Sequence, residues 1–197
     1  MNVLTAGFLI GMRHALDGDH LAALSVLIVE KPSIRRAAKQ GALWGMGHSL
    51  TLFLMGVAVI VLDLQLSVQL ASVLELLVGV MLIGLGAGLL RRFNQPEPRA
   101  TPHQVLGIGI MHGLAGSSAL ILLTLSNIQT TSLALGYIGL FGLGSILGMV
   151  LVSVALAWPL HRVSDKANWI PLLTRGSACV LSIGLGVVLI HEAMTTL

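Results

Sequence analysis

Charged residues are scarce in this chain of 197 residues, at 10% of the sequence, whereas apolar residues make up 55%. A soluble domain carries about 25% charged residues, so this chain has too little charge to cover a water-exposed surface. A membrane-spanning helix needs about 20 consecutive, mostly apolar residues. The shortage of charge therefore excludes an ordinary soluble domain and predicts an all-α integral membrane protein.

Several other features are also missing. Cys179 is the single cysteine, which excludes an internal disulfide and a multi-cysteine metal site. No G-x-x-x-x-G-K-[ST] motif occurs, and Thr195 replaces the second histidine of an H-E-x-x-H motif that would start at His191. The net charge of +3 comes from short basic clusters between apolar stretches, so we expect no nucleic-acid partner. We also expect no enzymatic activity and no resident cofactor.

Glycine, by contrast, is abundant at 23 residues, and small residues let membrane helices approach closely. Six apolar stretches follow one another along the chain, and each is expected to cross the lipid bilayer. They cover residues 2–29, 41–62, 70–90, 105–124, 133–158 and 173–194. We expect residues 1–197 to form a single membrane domain.

Among the connections between the apolar stretches, only alternate ones contain lysine or arginine. Residues 30–40, 91–104 and 159–173 contain them, whereas residues 63–69 and 125–132 contain none. Basic loops lie on the cytoplasmic side of a membrane. Six spans with both termini outside satisfy this rule, and we expect the bacterial cytoplasmic (inner) membrane as the location.

The two halves of the chain, about 1–95 and 100–197, resemble each other in three places. His14 and His112 each begin an H-x-L-x-G segment, 98 positions apart. G-x-G segments recur in the second and fifth stretches, and I-G-L-G recurs in the third and sixth. Three spans per half is an odd number, so the pattern predicts a 3+3 inverted repeat with a site at the repeat interface. The alternative is coincidence in a chain rich in glycine and leucine.

The first stretch contains an unusual cluster of ionisable residues: Arg13, His14, Asp17, Asp19 and His20. A charged side chain at the bilayer centre costs at least about 2.5–3.5 kcal/mol, so these residues need partners, water or a bound cation. One explanation is an Arg13–aspartate salt bridge beside hydrogen-bonded core histidines. The other is a cation site, for which a break at Gly18 would turn the cluster toward one cavity because Asp19 otherwise points away from the rest.

Two further histidines are expected to join this cluster. At a rise of about 1.5 Å per residue, His20, His48 and His112 all lie roughly 12–14 Å from the cytoplasmic edge. Neutral imidazoles together with carboxylates suit nickel, cobalt, copper, zinc and iron, and without a thiolate cluster Cu(I) is disfavoured. The other three histidines, at positions 103, 161 and 191, are expected to have surface or structural roles.

Residues 13–21, R-H-A-L-D-G-D-H-L, resemble the R-H-A-x-D-A-D-H-I signature of nickel/cobalt transporters. The H-x-x-x-x-D-H core is intact as His14, Asp19 and His20. Gly47-His48-Ser49 is similar to the second-helix motif of the same family. The segment from His112, H-G-L-A-G-S, resembles the shorter UreH-like branch, whose members are called urease accessory or nickel-uptake proteins.

The resemblance implies transport of a divalent transition-metal ion, nickel or cobalt. His14, Asp19, His20 and His48 would bind the metal, and Asp17 and His112 would be secondary ligands or partners of ligands. Binding needs neutral imidazoles and ionised carboxylates, so affinity should fall in acid. An energising or metallochaperone partner is compatible with this function.

Two alternatives to transport remain open at this stage. One is a membrane accessory protein that passes metal to an enzyme-maturation system without transporting it. The other is a rhomboid-like serine protease, suggested only by Ser117 after a glycine in the fourth stretch and by His191 in the sixth. The protease leaves the first-stretch cluster without a role.

Overall fold

The computed structural model of the chain describes residues 2–29, 33–62, 64, 67–92, 100–125, 130–163 and 169–197, with the side chains of 117–125 left out. These residues form α-helices only: α1 (Val3–His14), α2 (Gly18–Ile28), α3 (Ile34–Leu62), α4 (Val68–Arg91), α5 (Pro102–Leu125), α6 (Thr131–Val163) and α7 (Ile170–Thr196). Within the described part of the chain, four helices are long and apolar enough to cross a membrane, namely α3, α4, α6 and α7. Many large apolar side chains lie on the outer surface, as expected for lipid-facing helices.

The helices begin at capping residues that the sequence supplies. Ser67 accepts a hydrogen bond from the amide of Leu70 at the start of α4. At the start of α5, the Thr101 hydroxyl accepts from the Gln104 amide, and the Gln104 side chain accepts from the Thr101 amide. This reciprocal capping box satisfies two backbone donors that a helix start leaves without partners.

Two helices extend beyond the apolar stretches that mark them. α3 begins at Ile34, so Arg35, Arg36 and Lys39 lie in its first turns rather than in a loop. α6 continues through Pro159 to Val163. Proline has no N–H to donate to the preceding turn, so α6 lacks one backbone hydrogen bond at Pro159 although the helix continues. Other charged residues of these connections lie outside the described residues: Glu30, Lys31, Asp63, Glu97, Arg99, Asp165 and Lys166.

The helices pack mainly in four pairs. α3 packs against both α6 and α5, α1 packs against α6, and α4 packs against α7. Glycines allow the closest approaches, because a Cβ on Gly11 or Gly109 would collide with a backbone carbonyl of the neighbouring helix. The short helix α2 lies against α7, α4 and α6, which places the middle of the first apolar stretch inside the helix bundle.

Candidate metal centre

The first apolar stretch is broken between α1 and α2. The amides of Leu16 and Asp17 donate to the carbonyls of Arg13 and His14, which tightens the last turn of α1. Asp17 is extended, with φ −63° and ψ 147°, and α2 starts at the next residue. The break lies at residues 15–17, just before the expected position at Gly18.

The side chain of Asp17 explains why the break does not need glycine. Its Oδ2 lies 2.7 Å from Nδ1 of His14, so this contact spans the break. Its φ is negative, which any residue can adopt. Gly18 is therefore the first residue of a helix and not a hinge in the left-handed region.

Four histidines from four helices converge at the break. The His20 ring lies 4.5 Å from the rings of His14 and His112 and 5.0 Å from that of His48, measured between centroids. Three of these side chains are fully buried, whereas His14 is partly exposed. The expectation that His112 reaches His20 is confirmed, and His20 is the centre of the cluster.

Asp19 connects the cluster through both carboxylate oxygens. Its Oδ1 accepts a hydrogen bond from the His20 amide and lies 2.9 Å from His20 Nδ1. Its Oδ2 lies 2.9 Å from Nε2 of His112. The ion pairs found among the described residues join the two aspartates to histidines, and none joins either to Arg13. The Arg13–aspartate salt bridge is therefore not what compensates these carboxylates in the described part of the chain.

Two overlapping groups of side chains could hold a metal ion. His14, His20 and His48 form one group, and Asp19, His20 and His112 form the other; within each group the donor atoms lie within 4.8 Å of one another. Nε2 of His14 and Nε2 of His48 are 3.2 Å apart. His20 belongs to both groups, so a cation could occupy either position while keeping this ligand.

Several nitrogens in the cluster lack a hydrogen-bond partner within the described residues. They are Nε2 of His20, Nδ1 of His48 and Nδ1 of His112, and all three are buried. A buried polar atom without a partner costs about 1–3 kcal/mol. A neutral imidazole nitrogen is also the commonest metal-binding donor in proteins, so the arrangement has the chemistry of a metal site.

Aromatic rings enclose the histidines. The Trp44 ring lies 5.2 Å from that of His20 and 5.3 Å from that of His112, and the Phe141 ring lies 5.2 Å from that of His14. Both aromatic side chains are fully buried. This apolar wall restricts water and fixes the orientation of the imidazoles.

Two carboxylates near the cluster escaped the sequence interpretation. Glu75 of α4 and Glu192 of α7 line a cavity that also reaches His14, Asp19 and His20. Glu75 is the only acidic residue of the mostly apolar helix α4. That isolation was an available signal, because a carboxylate in a membrane span is costly and usually functional.

The remaining predicted positions are three histidines and one serine outside the two donor groups. The three histidines at 103, 161 and 191 are all exposed, as expected, although His103 belongs to the first turn of α5 rather than to a loop. Ser117, on which the protease alternative depends, lies where side chains are not described.

Comparison with known proteins gives two relatives that match over most of their length. The chain is 32% identical over 184 residues to "Urease accessory protein UreH" of Bacillus sp. (strain TB-90), covering 84% of this chain and 81% of the relative. It is 25% identical over 186 residues to the "Putative nickel/cobalt efflux system" of Methanocaldococcus jannaschii, covering 88% and 86%. The names of both describe accessory or transport proteins and not enzymes.

A further relative is longer than this chain. The "Chloroplast protein FOR GROWTH AND FERTILITY 2" of Arabidopsis thaliana is 26% identical over 211 residues, which cover 93% of this chain and 55% of the relative. No family model matches the sequence. No solved structure matches it either.

Proposed function

The chain belongs to the UreH-like branch of the nickel/cobalt transporter superfamily, and on this basis we propose that it carries a divalent transition-metal ion, nickel or cobalt, across the membrane. The observation that carries the proposal is the convergence of four histidines and an aspartate, from α1, α2, α3 and α5, inside a bundle of apolar helices. Their donor atoms are imidazole nitrogens and carboxylate oxygens, which suit both metals.

In this proposal His14, Asp19, His20 and His48 bind the ion. Asp17 orients His14 through the 2.7 Å contact with its Nδ1, as carboxylates next to metal-binding histidines commonly do. His112 has a closer role than the sequence suggested. It belongs to the second donor group with Asp19 and His20, so we propose that the ion passes between the two groups while His20 remains bound.

We also propose that the two halves form an inverted repeat of three spans each, counting α1 and α2 as one span. Under that repeat, positions 97 or 98 apart in α1, α3, α5 and α6 are equivalent, and contacts should recur with their partners exchanged. Gly11 of α1 lies against the carbonyl of Phe141 in α6, and Gly109 of α5 lies against the carbonyl of Trp44 in α3. These are equivalent contacts, because Gly11 corresponds to Gly109 and Trp44 to Phe141.

A second pair of contacts follows the same rule. Gly144 of α6 lies against the carbonyl of Phe8 in α1, and Gly47 of α3 lies against the carbonyl of Leu106 in α5. The equivalence again holds at offsets of 97 and 98 positions. Coincidence of composition does not explain matched backbone contacts, so these pairs support the repeat.

The contact between α4 and α7 supports the same symmetry at an offset of 100 positions. Gly79 lies against the carbonyl of Gly186, and Gly86 lies against the carbonyl of Cys179. Replacing position 79 by 179 and position 186 by 86 turns the contact between Gly79 and Gly186 into the contact between Cys179 and Gly86. The histidine cluster lies between the halves, where inverted-repeat transporters bind their substrates, with His14 and His112 as equivalent residues.

Six spans with both termini outside, in the bacterial inner membrane, complete the proposal. Arg35, Arg36 and Lys39 in the first turns of α3 would face the cytoplasm. A potential of 100 mV, inside negative, favours inward movement of a doubly charged ion by about 4.6 kcal/mol, twice the single-charge value. Import could therefore proceed without nucleotide hydrolysis.

The second candidate function is a membrane accessory protein that hands metal to an enzyme-maturation system. The name of the Bacillus relative favours it. Purified protein in vesicles distinguishes the two candidates, because a transporter moves metal without a partner and an accessory protein does not.

The test measures nickel and cobalt flux into proteoliposomes under an imposed potential. Wild-type protein should accumulate metal, and His20→Ala and Asp19→Ala should lose nearly all flux while inserting at normal abundance. His103→Ala, an exposed residue, is the matched histidine control and should transport normally. Absence of flux with wild-type protein, or normal flux with His20→Ala, contradicts the proposal.

A further inference from the structure

A cavity of about 300 Å³ joins the histidine cluster to one end of the α4–α7 pair. Its lining residues come from every helix near the cluster except α3 and α6: His14, Asp17, Asp19, His20, Glu75, Val78, Ala115, Gly116, Leu189 and Glu192. Among them, Glu75 lies near the start of α4 and is half-buried, and Glu192 lies near the end of α7 and is exposed. In the proposed topology this end faces outside.

Glu75 and Glu192 are held on the same side of the helix pair. The hydroxyls of Ser72 and Thr196 lie 2.8 Å apart, which ties the start of α4 to the end of α7. One turn further in, Gly79 packs against the backbone of Gly186. These contacts hold together the two helix ends whose glutamates line one cavity.

The two carboxylates have no structural role that would explain them. Glu75 is half-buried, and neither glutamate side chain forms a hydrogen bond or ion pair with another described residue. A carboxylate within a membrane span is costly and usually functional, which applies to the half-buried Glu75 more than to the exposed Glu192. A cation in the cavity would compensate that cost.

A residue of the histidine cluster lines the same cavity. His20 is 1% exposed and lines the cavity, and its Nε2 has no hydrogen-bond partner within the described residues. Asp17 is 54% exposed and Asp19 is 29% exposed. The same cavity is therefore lined by the two glutamates and by the buried His20, whose Nε2 has no hydrogen-bond partner within the described residues.

We propose that Glu75 and Glu192, together with Asp17, form an outer binding station for a hydrated divalent cation, from which the ion moves to the histidine cluster. This proposal rests on the proposed transport function. Carboxylates suit a cation that keeps its water, whereas imidazoles suit nickel or cobalt that has lost some of it. Negative charges that line a cavity also attract cations, and such attraction speeds association by about 10- to 1,000-fold.

The first test is the metal dependence of cobalt flux into proteoliposomes loaded from the outer face. The Glu75→Gln/Glu192→Gln double variant should raise the half-saturating cobalt concentration about 10-fold, with the maximal rate nearly unchanged. High ionic strength should shrink the difference. Glu75→Asp/Glu192→Asp keeps the charge and should behave much like wild type, and Asp63→Asn removes one carboxylate from the connection after α3 as a charge control.

The results that would overturn the station are specific. A double glutamine variant with wild-type half-saturation excludes it. A lower maximal rate with unchanged half-saturation also excludes it, because the glutamates would then act in a later step. An aspartate variant as impaired as the glutamine variant would indicate packing and not charge.

A binding measurement keeps the station testable if no flux is found. Equilibrium dialysis of Co²⁺ with detergent-purified His20→Ala should leave weak residual binding, and adding Glu75→Gln and Glu192→Gln should remove it. Residual binding that survives the added substitutions rejects the station. If wild-type protein binds Co²⁺ but does not transport it, the proposed transport function is rejected and the outer binding station is not.

Discussion

His20 occupies a position that no other residue of the cluster shares. It belongs to both donor groups, and its ring contacts those of the other three histidines. The Asp19 carboxylate holds its Nδ1 and leaves Nε2 available. A metal needs ligands whose orientation is fixed before it arrives, and this pairing supplies that orientation.

The residues of the cluster should therefore differ in their effect on metal affinity. We expect His20→Ala to weaken Co²⁺ binding by more than about 100-fold, because it removes a ligand from both groups. Asp17→Asn should weaken binding by about 10- to 100-fold, the usual cost of losing a residue that orients a ligand. Equilibrium dialysis of purified protein measures both values.

The same experiment has a clear contrary outcome. If His20→Ala binds Co²⁺ like wild type, the cluster is not the metal site. If Asp17→Asn is as impaired as His20→Ala, Asp17 contacts the metal itself. His103→Ala serves as the unaffected control.

At the scale of the helix, close packing depends on glycines at particular faces and not on glycine content. Within α6, Gly144 lies against the backbone of Phe8 and Met12 in α1, whereas a Cβ on Gly139 would meet nothing within 4 Å. Both residues belong to the same helix and have the same intrinsic cost there, about 1 kcal/mol relative to alanine.

These two glycines make a matched pair of alanine variants. Gly144→Ala should destabilise the protein by about 1–3 kcal/mol or more, because backbone atoms cannot move aside for the added methyl group. Gly139→Ala should be neutral or slightly stabilising. Thermal unfolding in detergent measures both, and equal effects would mean that α1 and α6 do not pack as described.

The break between α1 and α2 gives another prediction about an element. A Cβ on Gly18 would contact only the side chain of Leu185, at 3.6 Å, and α2 starts there with helical backbone. Gly18→Ala should therefore keep wild-type stability and metal binding. Asp17→Pro is not a suitable control for Gly18→Ala, because Asp17 also contacts His14. A loss of folding in Gly18→Ala would show that the break depends on glycine.

At the scale of the whole molecule, orientation follows from where the basic residues lie. In the proposed topology the α4–α7 end with Glu75 and Glu192 faces outside, and the basic start of α3 faces the cytoplasm. Reporter fusions at Leu197 should behave as periplasmic or extracellular. Fusions at Ser33 should behave as cytoplasmic, and a cytoplasmic Leu197 fusion would reject both the six-span topology and the inverted repeat.

Much of the molecule could be predicted from local sequence. Apolar length located the helices apart from the break in the first stretch and the extended ends of α3 and α6, because backbone in a bilayer must satisfy its own hydrogen bonds. The cluster around His14 and His20 was visible because ionisable residues in an apolar stretch are costly and need compensation. The proposed equivalence of His14 with His112 rests on a sequence match at an offset of 98 positions, which is the trace that an inverted repeat would leave.

The tertiary structure decided what depends on packing between distant segments. It placed the break at Asp17 because that side chain pairs with His14, which residue types alone do not reveal. It brought Glu75 and Glu192 to the cavity because α4 and α7 meet through their glycines. The sequence by itself determined which residues are costly to insert into the bilayer, since the insertion free energy depends on each residue. The faces that the helices present to each other determined which of those residues share one site.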